Sequence, residues 1–106
     1  GSKEEIIETG SYSKFYMHRI GHWLGMDTHD VGSYKVDGDW RALEKGMVMT
    51  IEPGIYILDS LDGVDEKWKG IGVRIEDDIV INDSGFEILT PDIPRTLEEV
   101  EQTVQG

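Results

Sequence analysis

Cysteine is absent from this sequence. No disulfide can staple the chain and no thiolate can hold zinc, which fits a reducing compartment and sets the expectation of a cytoplasmic protein. Cations are scarce as well: ten Lys and Arg stand against 22 Asp and Glu, a formal net charge of −12. A chain without surplus positive charge has little with which to neutralise phosphates, so nucleic acid is excluded as a partner, and anionic membrane with it. No apolar run approaches bilayer-spanning length, and no signal-like stretch precedes the acidic start. Repeats and low-complexity segments are missing too. Three Trp, four Tyr and two Phe within a 38% hydrophobic content supply a modest sheet-based core, and the composition is not that of a disordered chain. At 106 residues there is room for one domain at most. Gly1-Ser2 reads as an expression-tag remnant, leaving residues 3–106 as the native part.

Along the chain, KEEIIET at residues 3–9 reads as the end of a helix closed by Gly10. Trp40 to Lys45 reads as a helical turn or loop ending at Gly46. Met47–Ile51 and Ile55–Leu58 read as strands on either side of Glu52-Pro53-Gly54. A polar surface loop follows at Asp59–Lys69. Ile71–Ile81 alternates as one long strand, and Asn82–Gly85 turns it into a strand at Phe86–Leu89. After Pro91 and Pro94, the capping-box pattern Thr96-x-x-Glu99 starts a helix over Leu97–Val104. The sum is an α+β domain dominated by antiparallel strands.

The residues able to do chemistry cluster. His18, His22 and His29 fall within twelve residues, among glycines and a Trp. His18 and His22 are four apart, one helix face if the segment were helical, but Gly21 and Gly25 weaken that reading. Arg19 also stands where the zinc-protease motif would place its general-base Glu. Glu52 sits between two apolar strands, where a carboxylate needs a partner; Pro53 and Gly54 break the ladder beside it. It is a turn residue on the plain reading and a ligand on the sharper one. Arg74 and Glu76 share a strand face, which leaves an ion pair and a bound cation as alternatives. Carboxylates with one imidazole suit a hard or borderline divalent metal such as manganese or zinc.

Three blocks, HRIGHWLGMDTHDVGSY, GMVMTIEPGIYI and GIGVRIEDDIVI, resemble in order and spacing the Xaa-Pro aminopeptidases, with prolidase a close rival. These enzymes have the pita-bread fold of methionine aminopeptidase and creatinase. The resemblance runs from residue 12 to about residue 100, and it implies the C-terminal half of the pita-bread metallopeptidase domain, a curved antiparallel sheet with flanking helices. It makes His22, Glu52 and Glu76 metal ligands, with Glu76 bridging two metals, and makes Glu52 also the proton shuttle. His18 and His29 would line the substrate pocket, His29 placed to stabilise the tetrahedral intermediate, and Arg74 would anchor a bridging carboxylate or help bind substrate. The implied cofactor is two Mn ions in the intact enzyme, with Zn or Co as substitutes. The implied substrates are peptides with proline in second position, and the implied assembly is a homo-oligomer. The family's other two ligands are aspartates eleven positions apart, N-terminal to the histidine block. No Asp precedes His18 here, and no two Asp are so spaced. The expectation is therefore a fragment that lacks the N-terminal half of the domain, holds at most one metal weakly and is inactive alone. A non-catalytic binding module on the same fold is the contrasting reading.

Overall fold

The computed structural model describes residues 1–106. Ser2 caps helix α1, Lys3–Thr9, and Glu5 answers from the third helical position, so two free N–H groups are satisfied reciprocally. A tight turn at Ser11–Lys14 follows. Strands β1, Lys35–Val36, and β2, Asp39–Trp40, then form a small hairpin. Only Trp40 departs from the helical turn or loop expected over Trp40–Lys45; the rest is loop and turn up to Gly46. The reason for the departure is Asp37-Gly38: both residues take positive φ (53° and 93°), as a two-residue turn between right-twisted strands requires.

The main framework comprises β3, Val48–Ile51, β4, Gly54–Ile57, β5, Ile71–Arg74, β6, Asp77–Asn82, and β7, Gly85–Ile88. Helix α2, Leu97–Gln105, ends the chain behind the expected Thr96–Glu99 capping box. All strand pairs are antiparallel. The single strand expected over Ile71–Ile81 is in fact two, parted at Ile75-Glu76, because Pro53 opposite has no N–H to give the ladder. The strands accordingly group as β1-β2, β3-β6-β7 and β4-β5 rather than as one sheet, with the helices at the chain ends.

The break leaves the register intact. Ile51 lies opposite Asp77 on one side of it and Gly54 opposite Arg74 on the other, so Glu52 faces Glu76 across the gap. The Ile75 N–H to the Pro53 carbonyl, 3.1 Å, bridges it. On the other edge of β3 runs the histidine segment. Leu24 donates to the Val48 carbonyl (3.2 Å), Thr50 to that of His22 (2.9 Å) and Glu52 to that of Ile20 (2.6 Å). Arg95 fastens the segment before α2 to β6, with its Nε 2.8 Å and its Nη2 2.6 Å from the Asp77 carboxylate. That contact, chiefly, holds the Asp77 carboxyl below its ordinary range.

Little of this is enclosed. Met49, Thr50 and Ile79 are the only buried residues, while Ile55, Val73, Phe86 and Leu97 stay exposed. The radius of gyration is 17.0 Å, against about 13 Å for a compact chain of this length. The accessible surface is 8314 Å², against roughly 6,000 Å² for a closed domain of this mass. The sheet is open on its apolar sides. No helix is long and apolar enough to cross a membrane.

Candidate metal centre

Strand parity and register place the site. His22 lies beside Thr50, two residues from Glu52, and Glu52 lies opposite Glu76. Side chains two apart on a strand share a face, and so do residues directly opposite. The three therefore project to one face from three neighbouring segments: the histidine segment and the gaps after β3 and β5. One potential ligand atom from each of His22, Glu52 and Glu76 lies within 4.8 Å of the others. The segment carrying His22 reaches β3 because Gly21 has no side chain: a Cβ there would lie 1.9 Å from the Thr50 carbonyl oxygen.

The orientation of each group follows from its hydrogen bonds. His22 Nδ1 is 3.0 Å from the Trp23 carbonyl oxygen, which can only accept, so the proton sits on Nδ1. The other ring nitrogen, Nε2, lies 3.3 Å from Glu52 Oε1. A ring held through one nitrogen with the other turned toward a carboxylate is the orientation of a metal-ligating imidazole. Thr50, fully buried, joins the two ligands: its Oγ1 accepts from the His22 N–H at 3.1 Å and donates to Glu52 Oε1 at 3.2 Å. Arg74 stands between the carboxylates, its Nε 3.8 Å from Glu52 and 3.8 Å from Glu76. The Tyr56 phenol first, then Glu52 and Glu76, raise its pKa further, so it is a fixed cation. The ion-pair reading and the ligand reading of Arg74-x-Glu76 thus coexist.

The other two histidines take different positions. His29 packs its ring on His22 at 4.4 Å and is exposed, free to meet a bound molecule. His18 is fixed: Nδ1–H donates to the Arg19 carbonyl at 2.7 Å, and Nε2 accepts from the Tyr56 hydroxyl at 2.8 Å. Tyr16 packs edge-on against His18 at 4.7 Å. Its hydroxyl is buried without a partner, and this desolvation, with the Glu52 charge adding, pushes its pKa up. His18, His22, His29, Glu52 and Arg74 line one polar hollow of about 330 Å³, together with Arg19 and Tyr34.

Thr50, Tyr56 and Tyr16 escape the sequence reading. Thr50-x-Glu52 carries a usable signal, since two residues apart on a strand means one face. Tyr56 and Tyr16 carry none, because only the fold brings them to His18.

The residues present fit a divalent cation: one imidazole nitrogen and two facing carboxylates are a donor set for a hard or borderline metal. Comparison with known proteins agrees. Residues 3–83 match the model of metallopeptidase family M24. The Xaa-Pro aminopeptidase of Haemophilus influenzae is 52% identical over 101 residues, which cover 95% of this chain and 23% of that protein. The structure of Pseudomonas aeruginosa aminopeptidase PepP aligns with a TM-score of 0.91 at 55% identity, covering 99% of this chain and 24% of that one. Escherichia coli aminopeptidase P with the inhibitor Pro-Leu aligns with a TM-score of 0.85 at 48% identity, covering 96% of this chain and 23% of that one. A zinc-substituted form of the same enzyme with product aligns with a TM-score of 0.86. The chain spans about a quarter of the length of these relatives. The match over most of its length, on a scaffold of the same shape, makes this chain a member of metallopeptidase family M24.

Proposed function

We propose that this chain forms the C-terminal, ligand-bearing part of the catalytic centre of an Xaa-Pro aminopeptidase, which removes an N-terminal residue preceding proline. The observation that carries this reading is the convergence of His22, Glu52 and Glu76 from three separate segments within 4.8 Å. His22 through Nε2 and the two glutamates through carboxylate oxygens would hold the metal. When bound, a divalent metal supplies a Lewis acid that lowers the pKa of water and polarises a peptide carbonyl.

The chain's own residues do the rest. Glu52, steered by Thr50, takes a proton from the attacking water and passes it to the leaving proline nitrogen. Arg74, between Glu52 and Glu76, offsets their negative charge and holds both carboxylates in place. His29, exposed beside His22, donates to the substrate oxygen as negative charge grows on it. His18 stiffens the wall of the hollow through Tyr56. Manganese suits the carboxylate-rich set, with zinc or cobalt as replacements, and this segment offers ligands for one ion.

The test is a chimera in which residues 3–106 replace the matching segment of the Haemophilus influenzae relative. Release of the first residue from Xaa-Pro-Xaa peptides in manganese, abolished by His22→Ala or Glu52→Gln, is the expected result. An inactive but folded chimera would overturn the proposal. Hydrolysis confined to dipeptides would instead move the chain to the prolidases.

A further inference from the structure

The sequence holds four arginines. Arg41 pairs with Glu44, Arg74 with Glu52 and Glu76, and Arg95 with Asp77. Of these four, in a chain of net charge −12, Arg19 alone has no carboxylate partner. Its guanidinium is held by aromatic faces instead, 5.3 Å from the centroid of Tyr34 and 5.7 Å from that of Trp40. Both lie within the range of a cation–π contact. The holder is itself rigid. Tyr34 stacks on Trp23 at 5.3 Å with 6° between the planes, and its hydroxyl accepts from the Trp23 N–H at 3.2 Å. Trp40 stands on the hairpin set by Asp37-Gly38, and Lys35 also lies over its ring, at 4.8 Å.

A guanidinium held against aromatic rings makes no hydrogen bond to them, so its N–H donors stay free. Arg19 is exposed and lines the same hollow as His22, Glu52, His29 and Arg74. A pinned guanidinium fork offered to a peptide site suits one chemical group above others, a carboxylate bound through two parallel hydrogen bonds. We infer that Arg19 is a specificity-determining residue that reads a carboxylate carried by the bound peptide, either its C-terminus or an acidic side chain. Being pinned beforehand, the arm loses little freedom when the carboxylate arrives. The inference rests on the peptidase reading above, and its test separates the two.

The chimera with the Haemophilus influenzae relative is assayed on two peptide pairs. One is Xaa-Pro-Ala as free acid and as C-terminal amide; the other is Xaa-Pro-Asp amide and Xaa-Pro-Asn amide. The expected result is a preference for the carboxylate of at least one pair by about tenfold in kcat/KM, the scale of one charge-assisted hydrogen bond. The pair that responds names the source. Arg19→Gln should abolish the preference by raising KM for the charged member of the pair more than for the neutral one. Trp40→Leu, which keeps the cation but removes one face of its holder, should reduce it. A merely structural Arg19 would slow charged and neutral peptides equally. That result, or no preference in the unsubstituted chimera, overturns the inference. Binding of the same pairs, followed by calorimetry with manganese present, is the second readout. No hydrolysis of any peptide together with an Arg19-dependent preference in binding would sink the peptidase reading and support the carboxylate arm.

Discussion

Thr50 shows how much one side chain can do in this site. It is the fully buried polar residue, and its hydroxyl is spent twice, on the His22 N–H and on Glu52. Thr50→Val keeps the shape and removes both bonds, stranding an amide and loosening a carboxylate. It should cost about 1–3 kcal/mol in urea unfolding. Metal affinity should fall by about 10- to 100-fold, as when the partners of metal ligands are removed. Unchanged metal affinity would show that Thr50 does not position the ligands. The ligands themselves predict linkage. Manganese at about 100 times its Kd should stabilise the folded chain by about 2.7 kcal/mol, and Glu52→Gln or Glu76→Gln should remove that gain. If thermal melting ignores millimolar manganese in all three proteins, the metal assignment fails.

At the scale of elements, helix α2 depends on its capping box rather than on packing, since none of its residues is buried. Thr96→Ala should destabilise it by about 1 kcal/mol. Its pH dependence follows from Glu99. The Thr96 backbone N–H first, then that of Arg95 and the Thr96 hydroxyl, hold the Glu99 carboxyl below its ordinary value. A lowered folded-state pKa means the contribution is complete above the unfolded carboxylate value, about 4.3, and is lost as pH falls through the folded one. Helical circular dichroism should therefore hold from pH 7 to 5 and decline in stronger acid, and Glu99→Gln should flatten that decline. Equal acid profiles for the two proteins would show that the box carries no charge-dependent stability. The strands teach a different lesson. Ile71–Ile81 alternates without a visible break, and what splits it is Pro53 on the strand opposite. No inspection of the segment alone reveals that.

The whole molecule is more open than its length predicts, with a radius of gyration of 17.0 Å and many large apolar side chains exposed. Only three groups converge as candidate ligands, so the isolated chain offers a site for one metal. In manganese it should release no residue from Xaa-Pro peptides, where the chimera does, because a single ion lacks the second Lewis acid of a paired site. Turnover by the isolated chain comparable to that of the chimera, and lost in His22→Ala, would show that three ligands suffice. Exposed Ile55, Val73 and Phe86 should also bind a hydrophobic dye in the isolated chain, and the signal should fall in the chimera.

The sequence by itself determined the family, most of the antiparallel strands, both helices with the Thr96–Glu99 cap of the second, and the identity of the three candidate ligands. Those are matters of local pattern: residue types, short spacings and turn chemistry act within a few positions. Tertiary structure alone decided that Glu52 faces Glu76 and that His22 joins them from the segment along the other edge of β3. It also decided that Tyr56 reaches His18 and that Arg19 lies against Tyr34 and Trp40 rather than a carboxylate. Each depends on register between segments distant in sequence. A shift of one residue would turn every side chain of a strand to the other face, and only pairing across the sheet selects among those shifts.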